Sequence, residues 1–323
     1  MNGLHYGPRL GMAAVVMFGI AGTAAAQTVT VGTLPQGSLA YSIGSTVAKV
    51  IGDNTDLKTR AVGFGGSNIY FPQLNQGRVE MSTATIIDAT MALKGTAIFK
   101  GKKHPNLRIL TRLFTFKVGF MVRKDSKIQS LTDFKGKRFP AGYTSQKLVD
   151  TLVRAAFATE GMTYKDVKPV MVPNFIRGTD AMVAGRAAGS FLAVGSAVVR
   201  KANAAVKIRF LSLKSSPQAL TTMQNIAPGS FFTVVKPSKR MPYITKPVTV
   251  IGFDFLILIN ANVSNDIAYK SAKALHGNKK SLVAGHGVFN AFRPGQMAKK
   301  GLAVPYHPGA IKFYKEAGQW PPK

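Results

Sequence analysis

Four times in this chain a short apolar run ends in a loop of small residues and passes directly into a helical pattern. The loops are residues 33–38 (TLPQGS), 63–68 (GFGGSN), 142–145 (GYTS) and 195–196 (GS). A strand that leads through a tight loop into a helix, again and again, builds a parallel sheet with helices packed on its faces. Residues 28–34, 57–62 and 79–84 read as strands, with helices over 39–52, 69–76 and 86–94 between and after them. Residues 107–114 and 117–123 read as two further strands.

A second series follows the same rhythm. Strands are expected over 137–141, 167–172, 187–194 and 206–213, and helices over 144–160, 175–184 and 195–204. Gly32-Thr33 and Gly142-Tyr143 open the two series 110 residues apart, and Gly77-Arg78 and Gly185-Arg186 recur 108 apart. The matching offsets indicate two α/β lobes of similar topology. Beyond 213 the rhythm breaks. Residues 217–247 read as irregular, 248–260 as a strand pair or one long strand, 264–276 as a helix capped by Ser264, and 307–316 as a closing helix. A tail of this kind crosses back to the first lobe, so the expected division is 27–115 with 240–323 as one lobe and 116–239 as the other.

The amino end reads as an export signal. Residues 1–10 carry one Arg and no acid, residues 11–22 are an unbroken small and apolar run, and Ala24 and Ala26 stand at the −3 and −1 positions of a cleavage site before Gln27. Twelve apolar residues are too few to cross ~30 Å of hydrocarbon. Residues 1–26 are therefore expected to be a cleaved signal peptide. The sequence has no Cys. That excludes a lipoprotein anchor, disulfide scaffolds, thiolate metal sites and a Cys nucleophile. The expected product is a periplasmic protein, exported and not lipid-anchored.

Enzyme motifs are missing. The Gly32 to Ser38 spacing is Walker-like but lacks its Lys, and the 63–68 loop ends in Asn where a dinucleotide loop needs Gly. No G-x-S-x-G or H-E-x-x-H occurs. The histidines stand in Gly/Pro-rich or polar contexts and read as solvated loop residues. No catalytic residue, cofactor or metal is expected. The formal charge of +30, or +29 once Arg9 is removed, allows a polyanion- or surface-binding secreted protein as the alternative. The basic residues are scattered, however, and no nucleic-acid motif is present.

What remains is the set of loops. In a parallel sheet they share the carboxyl edge, where open α/β sheets bind ligands. Each helix start adds unpaired N–H groups and partial positive charge. Ser38, Ser67, Asn68, Thr144, Ser145 and Ser196 add short polar side chains, and Tyr41, Phe64, Tyr70, Tyr143 and Phe191 are nearby aromatics. Helix capping alone would explain any one of the polar residues. Taken together, they suit a small anion such as a carboxylate, bound without chemistry.

Longer motifs carry a resemblance. They are Gly32-Thr33-x-x-x-Gly37-Ser38-x-x-Tyr41-x-x-Gly44, Gly65-Gly66-Ser67 with Gln73-Leu74 and Gly77-Arg78-Val79-Glu80, and Leu107-Arg108-Ile109-Leu110. They continue with Ser130-Leu131-Thr132-Asp133-Phe134-Lys135-Gly136-Lys137-Arg138 and the tail from His307 to Gly318. In order and spacing, over residues 27–319, the chain resembles the solute-binding receptors of TRAP transporters of the TAXI type. The resemblance implies a two-lobed, Venus-flytrap α/β fold of the type II periplasmic binding proteins. It also implies capture of a small anionic or zwitterionic solute, an organic acid or amino acid, by a monomer that serves an ion-gradient-driven membrane permease. It places Thr33, Gly37, Ser38, Tyr41, Gly66, Ser67 and Asn68 on the first-lobe face of the cleft. Tyr143, Thr144, Ser145, Phe191 and Gly195 fall on the second. Ala188 stands where an acid is usual, and Tyr143 where a smaller residue is, so the ligand is not transferred with the resemblance.

Overall fold

The computed structural model describes residues 28–322 together with 1–4 and 7. The apolar run and cleavage site of the expected signal peptide lie outside the described residues. Among the described residues no helix is long and apolar enough to cross a membrane.

The first series is β1 (Thr28–Thr33), α1 (Leu39–Asp53), β2 (Lys58–Gly63), α2 (Ser67–Asn75), β3 (Met81–Thr85) and α3 (Ile86–Lys94). It leads into β4 (Leu107–Arg123). The second is β5 (Arg138–Gly142), α4 (Lys147–Ala158), β6 (Lys168–Val172), α5 (Phe175–Val183), β7 (Ser190–Ala193), α6 (Ala197–Val206) and β8 (Ile208–Phe210). The remainder is α7 (Pro217–Ile226), β9 (Phe231–Val235), β10 (Val248–Asn260), α8 (Asn265–Gly277), α9 (Lys279–Gly285) and α10 (Pro308–Glu316).

The strands run β2-β1-β3-β10-β4-β7, with β9 added on β10 and β8 on β4. β1 pairs in parallel with both β2 and β3, and β5 pairs in parallel with β6. The Ala188 N–H donates to the Arg138 carbonyl at 2.8 Å, which ties the approach to β7 to the other side of β5. The first series places its first strand between its second and third, while in the second β5 and β6 form a separate two-stranded sheet and β7 joins β4. That is the α/β fold expected, in two lobes.

Two strands pass from one lobe to the other. β4 pairs with β10 over residues 107–118, and its carboxyl end, residues 118–123, pairs with β7 and β8. β10 begins against β9 and ends against β3. The two strands expected over 107–123 are one, because residues 115–116 continue the ladder without a turn. The segment expected to be irregular holds α7, whose helix starts on the Ser216 cap with Pro217 in its first turn, and β9. The Ser216-Pro217 pair marks a helix cap rather than a loop, and β9 (FFTVV) is a short apolar run between Pro- and Ser-containing stretches.

Periodicity explains the helices. In α1, Ile43, Val47, Val50 and Ile51 are buried at i, i+4, i+7, i+8, and Ser38 caps the helix by accepting from the Tyr41 N–H at 3.0 Å. The carboxyl segment packs on the first lobe. The Tyr314 hydroxyl donates to the Leu110 carbonyl at 2.6 Å, and the His307 N–H to the Ile109 carbonyl at 2.9 Å. His104 and His307 are buried, not solvated. His307 Nδ1 accepts from the Gly309 N–H at the start of α10, so its Nε2 carries the proton and donates to the Val263 carbonyl. Removal from water lowers the pKa of this imidazole and of His104.

Candidate functional site

Three helix starts converge between the lobes. Among the described residues the first two N–H groups of α1, α2 and α3 have no partner in the protein: Leu39 and Ala40, Ser67 and Asn68, Ile86 and Ile87. Facing them is the turn before α4 in the second lobe. Contact there is close. A Cβ on Gly66 would overlap the Ser145 carbonyl oxygen, and one on Gly65 would lie 3.2 Å from the Ser145 Cβ. Gly66 is extended, so it is needed for the approach of the opposite lobe and not for its backbone angles. Gly37 faces Val198 of α6 at the rim.

Two adjoining cavities lie between these surfaces. One, of about 50 Å³, is walled by Gly66, Ser67, Tyr70, Thr85, Asp88 and Gln146 among others. The second, of about 80 Å³, is walled almost entirely by carbon, including Leu34, Leu148, Phe116, Phe175, Phe191, Phe253 and Phe255. Leu34, Ala40, Thr85, Leu148, Val149 and Phe255 line both, so the two cavities share a wall. No Lys or Arg is among the lining residues of either.

The polar end has an uneven set of partners. Asp88 is buried and closes a capping box with Thr85: its Oδ1 accepts from the Thr85 N–H at 2.9 Å and from the Thr85 hydroxyl at 2.7 Å. Burial pushes its pKa up to about 6, against hydrogen bonds from Thr85 and Ser67 that favour the charged form. Gln146 accepts from the Phe175 N–H at 3.1 Å through Oε1, but its buried Nε2 has no partner among the described residues. The Asn68 Oδ1 is buried and equally without a partner. An unpaired donor and a buried carboxylate, at the mouth of an apolar chamber, form a site for a molecule with a charged head and an apolar body.

Of the residues expected from the sequence, Ser38, Gly66, Ser67 and Phe191 line the two cavities, and Ser145 meets Gly65 and Gly66 across the cleft. Thr33 stands behind the wall, 3.1 Å through its hydroxyl from that of Thr83. Three are elsewhere. Tyr41 turns to a surface depression beside Lys49 and Arg60, and its hydroxyl accepts from Gln36. Thr144 is exposed, and Gly195 lies outside both linings. Tyr143 is a correction of a different kind. Its backbone is left-handed at φ 38, following Gly142 at φ 82, and this swings the ring into the second-lobe core. Burial and nearby Asp150 push its phenol pKa up. It does not narrow the pocket.

The sequence reading missed Asp88, Gln146 and the four rings Phe116, Phe175, Phe253 and Phe255. The loop between β3 and α3 contains no Gly, so a search for small-residue loops passed over it. The available signal was Thr85-x-x-Asp88, a capping box directly after a strand.

This architecture, two α/β lobes joined by crossing strands over an enclosed cavity, is that of the periplasmic solute-binding proteins. Residues 31–318 match the NMT1-like family, and the chain belongs to it. MatC (Rpa3494) from Rhodopseudomonas palustris with bound malate is 12% identical, with a TM-score of 0.58 over 91% of this chain and 97% of that one. A structure described as a periplasmic transporter is 13% identical, with a TM-score of 0.55 over 91% and 93%. At these identities the likeness is one of fold.

Proposed function

We propose that this protein is an exported periplasmic receptor of the TAXI type, which closes on a small solute and delivers it to an ion-gradient-driven TRAP permease. The motif order from Gly32 to Gly318 supports the TAXI assignment, and the absence of Cys fits a receptor without a lipid anchor. In this reading one lobe runs to residue 115 and resumes within β10, later than the expected 240, since β10 changes partners from β9 to β3 along its length.

The solute is a zwitterion with an apolar body, such as an apolar amino acid. The observation that carries this is the cavity wall itself: Asp88 and the unpaired Gln146 Nε2 at one end, aromatic rings at the other, and no Lys or Arg. A dicarboxylate would bring two negative charges to a buried carboxylate with no cation to offset them. A zwitterion places its ammonium on Asp88. Its carboxylate faces Gln146 Nε2 and the helix starts, while the Ser67 hydroxyl holds Asp88 in its charged form.

The test is thermal stability of refolded, ligand-free protein against a panel of amino acids and dicarboxylates. At a hundred times its Kd a ligand stabilises by about 2.7 kcal/mol. That amounts to a rise of several degrees, roughly 2–4 °C per kcal/mol for a protein of this class. Leucine, methionine or phenylalanine should produce it and malate should not. A shift with malate alone would overturn the zwitterion assignment; no shift with any solute would overturn the receptor.

A further inference from the structure

The crossing strands have a second face. Phe253 and Phe255 of β10 pair with Phe116 and Phe114 of β4, and three of these rings line the apolar cavity. Side chains alternate along a strand, so Asp254 points to the opposite side, and Arg112, paired with Leu256, points there too. Behind them is a recess of about 520 Å³, far larger than either interlobe cavity, walled by Arg112, Gln296, Lys299, Gln319 and backbone at Gly295 and Gly318. It shares no residue with the solute site.

Charge in this recess is out of balance. Asp254 is buried and accepts from Arg112 Nε at 2.7 Å through Oδ1 and from Lys299 Nζ at 2.5 Å through Oδ2. One carboxylate thus serves two cations. The Arg112 side chain is only 13% exposed, and among the described residues neither of its Nη nitrogens has a hydrogen-bond partner. A guanidinium edge with two free, parallel donors matches an oxyanion. Gln319 closes the wall beside them. Its Nε2 lies 3.0 Å from His276 Nε2, while its Oε1 is buried without a partner.

We propose that this recess is a second binding site, taking a small oxyanion, phosphate or carboxylate, on Arg112 and Lys299. The anion supplies the negative charge that Asp254 alone does not.

The only tryptophan, Trp320, is next to Gln319 and packs edge-on against Tyr306 at 5.5 Å, so it reports on the recess. The experiment titrates inorganic phosphate and, separately, acetate and malonate into the protein at constant ionic strength, following Trp320 fluorescence. A saturable change at a Kd of about 1 mM or tighter is expected for at least one of the two chemistries. The arm that saturates first says which oxyanion the site prefers. Lys299→Met leaves Asp254 paired with Arg112 and should weaken binding about tenfold. Arg112→Lys keeps the charge and loses the fork, with a similar loss expected. Ser67→Ala should leave the titration unchanged, which separates this site from the solute cavity. No saturable response to either chemistry, or equal affinity in Lys299→Met, would overturn the proposal.

Discussion

Burial governs the chemistry of Asp88. Its pKa of about 6 lies above the 3.8 of a free side chain, and loss of water is the main cause. Between those two values the folded chain keeps a proton that the unfolded chain has released. Stability therefore falls as pH rises through this window and stays lower above it, by about 3 kcal/mol. Asp88→Asn keeps an acceptor for the Thr85 N–H but cannot ionise. Its melting temperature should match that of the wild type near pH 4 and exceed it near pH 7, by roughly 5–10 °C. Parallel curves across that range would mean Asp88 titrates as an exposed carboxylate. The same variant should bind an apolar amino acid more weakly at pH 7, so stability and affinity move in opposite directions. A purely structural role would not give that pattern. Ser67 and Tyr41 make a matched pair. Ser67→Ala removes a hydroxyl from the polar end of the cavity and should cost about 1.5–3 kcal/mol of affinity. Tyr41→Phe removes a hydroxyl that is hydrogen-bonded to Gln36 and lies outside both cavity linings, and calorimetry should find its affinity unchanged. From sequence the two looked alike, both polar and both near a glycine loop. Which side of α1 a residue occupies is decided by helical phase, and a loop-based reading does not track phase.

At the scale of elements, the connection that matters is the turn entering α2 against the turn entering α4. Gly66→Ala should hold the lobes apart, because its methyl group would occupy the place of the Ser145 carbonyl oxygen. Solute affinity should fall at least tenfold with little change in far-UV circular dichroism; unchanged affinity would mean that closure does not bring these turns together. This contact was half legible in the chain. The GFGGSN and GYTS loops announced themselves by composition, and both prove to meet across the cleft. That Gly66 specifically is the point of closest approach was not, since it depends on how two distant turns are aimed. The aromatic wall shows the same limit. Phe114, Phe116, Phe253 and Phe255 sit in apolar runs that read as core, and they are core. Stacking between Phe116 and Phe255, 4.5 Å between centroids, is worth about 0.5–1.5 kcal/mol beyond area burial. Only the pairing of β4 with β10 brings these rings to one side of a sheet, where Phe116, Phe253 and Phe255 also face the solute chamber. A pairing between strands more than a hundred residues apart in sequence leaves no local trace in either.

For the whole molecule the question is what a charge of +30 does. The interlobe linings contain none of it, so the excess acts from outside the solute site. Exposed charges are screened over ~8 Å at physiological ionic strength, while contacts inside a closed cavity are largely sheltered. Two properties of the same protein should then separate as salt is raised. Retention on heparin, or on vesicles rich in anionic lipid, should collapse between ~50 and ~500 mM salt, as expected where counterions are released. Affinity for an apolar amino acid should vary by less than about threefold over the same range, because the zwitterion carries no net charge and its partners are Asp88, Gln146 and backbone N–H groups. The basic surface would in that case serve to bring the receptor to an anionic membrane face or an acidic permease, and the cavity to carry the cargo. If solute affinity instead fell with salt as steeply as heparin retention, the cavity would not be the principal binding site. The scattered lysines would then define a polyanion-binding protein that keeps a receptor fold.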